Sequence, residues 1–128
     1  DKGIKLIHHL TGSVKNEALL EMNKKRGIKY KSTKVYSVKY KKKLTPQLIK
    51  LISNQEISLM LHYSLQVSNE FFNKLGNDEK SFFKTNITHI CMSDRIGQGL
   101  RKFGVRRKKL KISKKPNHKS MMLLLKHI

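Results

Sequence analysis

Apolar and polar residues alternate between two periods along this chain, and the switches between them define a series of short elements. Residues 4–10 are largely apolar and β-prone, a first strand closed by the tight turn Thr11-Gly12-Ser13. Residues 14–26 carry Val14, Ala18, Leu19 and Met22 on one helical face, with Ser13 placed as N-cap and Gly27 just past the end. Residues 28–36 then alternate as a strand does, so residues 4–36 read as one βαβ unit. Residues 37–44 form a basic connector, and Thr45-Pro46 opens a short helix to Ile52.

The densest apolar run follows. Residues 57–63 are nearly continuous in hydrophobic side chains, the pattern of a strand buried on both faces in the middle of a sheet. At Ser64 the period changes, and Leu65, Val67, Phe71, Phe72 and Leu75 predict a helix ending at Gly76. Residues 77–86 are polar apart from Phe82 and Phe83 and read as a loop with at most one helical turn. A strand over 89–92, a helix from Ser93-Asp94 to Phe103 before Gly104, a short strand over 109–112 and a Leu- and Met-rich helix over 119–127 complete the chain. Strands alternate with helices throughout, so the expected fold class is α/β, a mostly parallel sheet with flanking helices.

Composition narrows the functions open to such a fold. The 128 residues suffice for one modest core, and no apolar run approaches transmembrane length. The single Cys91 excludes an internal disulfide framework and fits the cytoplasm; its simplest role is a small buried hydrophobe. The net charge of +21 raises nucleic acid or another polyanion as partner. Against nucleic acid, 24 of the 29 cationic residues are Lys, which lacks the planar fork of Arg. No RNA-binding aromatic platform is present either, and the lysines are scattered as a compositional bias would scatter them. Lys39 to Lys43 and Arg106-Arg107-Lys108-Lys109 are the densest runs, each explicable as a solvated loop.

Three strand ends hand over to a helix through small or hydroxyl residues: Thr11-Gly12-Ser13, Tyr63-Ser64 and Ser93-Asp94. In one parallel sheet they share an edge, where free N–H groups suit carboxylate or phosphate. Each is also an ordinary N-cap. No P-loop and no dinucleotide fingerprint exist, and Gly97 and Gly99 fall inside a helix. The six His are dispersed, with His8 and His9 on opposite faces of a strand, so no metal site is expected. Ser64 lacks the glycines of a nucleophile elbow.

The ordered set of these features resembles the C-terminal half of uroporphyrinogen-III synthase. The set runs from Gly12, Gly27 and Val35-Tyr36 through Tyr63-Ser64 and Met92-Ser93-Asp94-Arg95 to Phe103-Gly104, Ser113 and Pro116 before a terminal Leu-rich helix. The resemblance implies a cofactor-free lyase that cyclises hydroxymethylbilane to uroporphyrinogen III, a step of tetrapyrrole biosynthesis. It implies Tyr36 as the residue assisting departure of the substrate hydroxyl. It implies Thr11, Gly12, Ser13, Tyr63, Ser64, Ser93, Arg95 and Gly97 as contacts to a polycarboxylate tetrapyrrole. The chain departs from the family pattern at Thr11, where Arg is common, and at Ile96, where Thr is common.

The resemblance further implies a flavodoxin-like fold split over two domains, with residues 1–36 a βαβ unit of the neighbouring domain and 37–128 an α/β domain. Residues 1–36 either complete a single domain by folding back or are exchanged in a swapped dimer, unless an N-terminal half of the same synthase is the partner. The rival readings are a basic α/β module binding nucleic acid or another polyanion, and an inactive half-length remnant.

Overall fold

A computed structural model describes residues 3–13 and 17–126, without the side chains of Glu17 and Ala18. The helix start expected at Val14, the apolar position Ala18 and the helix end at His127 lie outside the described residues. Residues 1–40 and 41–128 form two compact units.

In the first unit, strand β1 (Leu6–Thr11) pairs in parallel with β2 (Lys29–Lys34), from Leu6 opposite Lys29 to Thr11 opposite Lys34. The helix α1 (Glu17–Lys25) connects them and packs on β2. Its end shows why Gly27 is needed. The Ile28 N–H reaches the Asn23 carbonyl and the Gly27 N–H the Lys24 carbonyl, a closure that holds Gly27 at φ +65. The expected apolar face of α1 is only partly realised, because Met22 is exposed and Asn23 is buried in its place.

The second unit is a three-stranded parallel sheet in the order β3 (Leu59–His62), β4 (Thr88–Cys91), β5 (Leu110–Ile112). Helix α2 (Pro46–Ser53) precedes it, started by the Thr45 hydroxyl accepting the Leu48 N–H and by Pro46 at the first turn. Between β3 and β4 run α3 (Leu65–Asn73) and α4 (Asn77–Thr85). Between β4 and β5 runs α5 (Asp94–Lys102), followed by a 3-10 turn at Arg107–Lys109. The last helix, α6 (His118–Leu125), packs against β4.

The main core lies between the sheet and α3, α4 and α5. Phe72, Phe83, Ile87, Cys91 and Leu100 are fully buried, with Phe72 stacked on Phe103 at 5.1 Å and edge-on to Phe83. Buried Gly99 leaves room for Leu65, so α5 settles closely onto α3. Cys91 is deep in this core, and burial pushes its thiol up to about 12, which leaves it a hydrophobe rather than a nucleophile.

Four expectations are corrected here. The strands do not form one sheet: β1 and β2 pair with each other, and β3, β4 and β5 form a second sheet. The strand read from residues 57–63 stands at the outside of its sheet, with Leu59, Met60 and Leu61 only half-buried, while β4 occupies the middle. Residues 77–85 are a full helix. Asp78 and Glu79 favour the positive end of its dipole, and fully buried Phe83 anchors its last turn. Along α3, Val67 turns out to solvent and Ser68 is buried.

Candidate functional site

The expected site residues fall into two groups, one in each unit. In the first unit the end of β1 meets the chain just after β2. The Val35 N–H donates to the Thr11 carbonyl at 2.9 Å, and the Val38 N–H to the Ser13 hydroxyl at 3.3 Å. Tyr36 is 60% exposed, yet its ring lies directly over Gly12. A methyl group on Gly12 would sit 2.6 Å from the ring and 2.8 Å from its hydroxyl oxygen, so only glycine leaves the phenol in this position. Thr11, Gly12, Ser13 and Tyr36 therefore come together.

In the second unit Ser64 and Ser93 follow neighbouring strands whose last residues, His62 and Cys91, are in register. Each opens a helix. The Ser64 hydroxyl accepts the Val67 N–H at 3.4 Å and caps α3. Ser93 takes the same position on α5, but its hydroxyl makes no capping bond. Two adjacent helix starts thus stand at the carboxyl end of one parallel sheet, where amide N–H groups and dipoles favour anions. Arg95 is exposed in the first turn of α5. Gly97 is buried instead and lets Ile112 of β5 pack against α5, so its described role is packing. The Thr11-Gly12-Ser13 turn belongs to the other sheet, so the single shared edge expected for all three turns reduces to two of them.

Below Ser64 lies a buried polar chain that apolar periodicity cannot signal. His89 Nε2–H donates to the Phe83 carbonyl at 2.8 Å, which leaves His89 Nδ1 as an acceptor. His62 Nε2–H fills it at 3.0 Å, so His62 Nδ1 accepts in turn from the Ser68 hydroxyl at 2.8 Å. Ser68 Oγ also stands 2.7 Å from the Ser64 carbonyl, which the Ser68 N–H already satisfies at 3.1 Å. Every member is paired while both imidazoles are neutral. Burial, reinforced by His89, lowers the His62 pKa to about 3, and burial lowers that of His89 as well. The chain ties the end of β3 to the first turn of α3 and the end of α4.

Two further residues at this edge escaped the sequence reading as site residues. Ser113, just past β5, is buried, and its hydroxyl donates to the Lys115 carbonyl. His118 meets the Tyr63 hydroxyl at 2.7 Å. The place of Ser113 before the last helix was the available signal for the first; the pairing of residues far apart in sequence gave none for the second. Tyr63 and Ser64 line a largely apolar depression of about 220 Å³ with Met60, Leu61, Val67 and Phe71. Among the described residues, no group of three or more His, Cys, Asp or Glu side chains is placed to hold a metal ion, and no helix is long and apolar enough to cross a membrane.

The chain has no match among curated proteins. Among solved structures it is similar to uroporphyrinogen-III synthetase from Helicobacter pylori 26695, with a TM-score of 0.71 at 20% identity. That match covers 95% of this chain and 53% of the Helicobacter chain, so the chain spans about half the length of its structural relative. The family described as uroporphyrinogen-III synthase HemD matches residues 1–122. With its α/β fold and parallel sheets, the chain belongs to the uroporphyrinogen-III synthase HemD family.

Proposed function

We propose that this chain acts as the C-terminal half of a uroporphyrinogen-III synthase, converting hydroxymethylbilane to uroporphyrinogen III with inversion of ring D. The observation that carries the proposal is the pair of helix starts at Ser64 and Ser93, side by side at the carboxyl end of one parallel sheet. Carboxylate side chains of the substrate are held there by amide N–H groups, the Ser93 hydroxyl and Arg95. Thr11, Gly12 and Ser13 offer similar contacts in the first unit, and Tyr63 borders Ser64. Gly97 contributes through the seating of α5.

The chemistry needs charge stabilisation and positioning more than a nucleophile. A proton reaches the hydroxymethyl oxygen as its C–O bond breaks, and water leaves. The cationic carbon is attacked by the substituted carbon of ring D to give a spiro intermediate, which fragments and recloses with loss of a proton. The Tyr36 phenol, held over Gly12 and open to solvent, supplies the hydrogen bond to the departing oxygen. No cofactor enters these steps, and the single buried thiol suits a cytoplasmic enzyme.

The partner in this reading is the N-terminal half of the same synthase, with a domain-swapped dimer as the alternative source of the missing strands. The length relation to the Helicobacter chain supports it, as does the half-buried apolar β3 at the outside of its sheet. The decisive experiment is conversion of freshly generated hydroxymethylbilane by the chain together with an N-terminal half, read as the ratio of III to I isomer. The III isomer is the expected product. The I isomer alone, from a folded complex, would reject the proposal. Tyr36→Phe is expected to lower turnover by about a hundredfold, the usual scale for loss of a positioned proton donor; full turnover would remove Tyr36 from the mechanism.

A further inference from the structure

The carboxyl edge of the three-stranded sheet carries a contact that no strand-end motif accounts for. His118, the first residue of α6, places Nδ1 2.7 Å from the Tyr63 hydroxyl, with the rings 6.0 Å apart and 16° from parallel. Tyr63 leaves the end of β3 and His118 follows β5, the two outer strands of the sheet. The link therefore joins the two sides of β4, whose own end continues into Met92 and Ser93. Both partners remain exposed, and an exposed hydrogen bond of this kind adds little to folding. Its consequence is geometric: the contact engages Nδ1 and leaves Nε2 as the ring nitrogen turned to a ligand.

A neutral imidazole has one donor and one acceptor nitrogen. When the Tyr63 hydroxyl donates to Nδ1, the proton sits on Nε2, which is then a donor toward solvent; we take this tautomer. Nearby in sequence stand exposed Lys114, Lys115 and Lys119. At the start of α5, Asp94 is already engaged by the Gln98 amide. An Nε2–H donor on a segment this rich in exposed lysines suits an anion.

We propose that His118 is a specificity-determining residue of this edge, giving its Nε2–H to a carboxylate of the tetrapyrrole while Tyr63 holds the ring in place. The class of ligand rests on the functional reading above; the contact rests on the Tyr63–His118 geometry. The test uses uroporphyrin, a fluorescent closed tetrapyrrole with the same kind of carboxylate side chains, titrated into the 128-residue chain. His118→Phe keeps an aromatic ring and removes the donor, and is expected to raise Kd about tenfold, the scale of one hydrogen bond to a charged group. His118→Gln retains a donor and is expected to lose about half of that effect on a logarithmic scale. Tyr63→Phe added to His118→Phe is expected to cost nothing more, because both act through one contact.

Unchanged affinity in His118→Phe, with its melting temperature intact, would overturn the proposal. So would a parent chain that binds uroporphyrin no more tightly than heparin at physiological salt, since diffuse charge would then explain binding. Should His118→Phe fail to fold, His118→Gln decides by the same criterion. A chain that binds through His118 yet yields only the I isomer keeps this inference and rejects the synthase reading. Formation of the III isomer with His118→Phe binding unchanged does the reverse.

Discussion

The two units of the chain use the same βα grammar with opposite results. Residues 41–128 bury an aromatic and aliphatic core, whereas the only buried side chains described in residues 1–40 are the polar Thr11 and Asn23. Along β1, Leu6, His8 and Leu10 alternate onto an exposed face, and the two-stranded sheet has no third strand among the described residues. Parallel sheets are ordinarily covered on both faces, and two strands alone are marginal in water. Local pattern is enough to form a βαβ unit; apolar area removed from water is what holds one together. The second unit has that area within itself; among the described residues of the first, no apolar side chain is fully removed from water.

The largest expected effect tests this difference at Phe72. Its ring is fully buried, stacked on Phe103 and packed against Phe71 and Phe83. Phe72→Ala is expected to cost about 3–5 kcal/mol, from lost transfer energy and the cavity left behind. Urea unfolding followed by far-UV circular dichroism checks it. A loss below about 1 kcal/mol would mean that the aromatic cluster is not what holds the second unit.

An intermediate effect separates the units by pH. His62 is neutral in the folded state, with a pKa of about 3 against an unfolded value of 6.5. Between those values the unfolded chain binds the extra proton, so the stabilisation is complete above pH 6.5 and is lost as pH falls toward 3. The expected slope is about 1.4 kcal/mol per pH unit for this one group. His89, lowered in the same direction, adds to it. His62→Gln keeps hydrogen-bonding capacity without titrating, so it should flatten the slope. The same acid dependence in His62→Gln as in the parent would place the sensitivity elsewhere.

Which of these features were legible in the sequence follows from how local they are. Thr45-Pro46, Ser64, Gly27 and Gly104 mark helix ends through their own backbone requirements, and each stands where its chemistry puts it. The α/β class and the parallel pairing follow from alternation alone. Helix α4 was hidden because its first turn is polar and its main anchor, the burial of Phe83 against distant residues, has no local trace. The His62–His89 bond joins residues 27 apart, and Tyr63–His118 joins residues 55 apart, so neither leaves a periodic trace. The apolar run of residues 57–63 was legible as a strand but not as an outer one. Its pattern anticipates a neighbour on each side, and among the described residues β4 is the one strand paired with it.

The smallest expected effect is also the one that sharpens the comparison most. Leu10 is 65% exposed on β1 and opposite Thr33 on β2. Leu10→Ser removes little buried area and should change the stability of the chain by no more than about 0.5 kcal/mol, against several for Phe72→Ala. With the N-terminal half of the synthase bound, the same substitution should weaken the complex by about 1.5–3 kcal/mol, the worth of burying a leucine side chain. Isothermal titration of that half into parent and Leu10→Ser chains measures the difference directly. If binding is equally tight, the exposed face of β1 is not part of that interface. If binding weakens as expected, the exposed leucines of β1 lie in that interface.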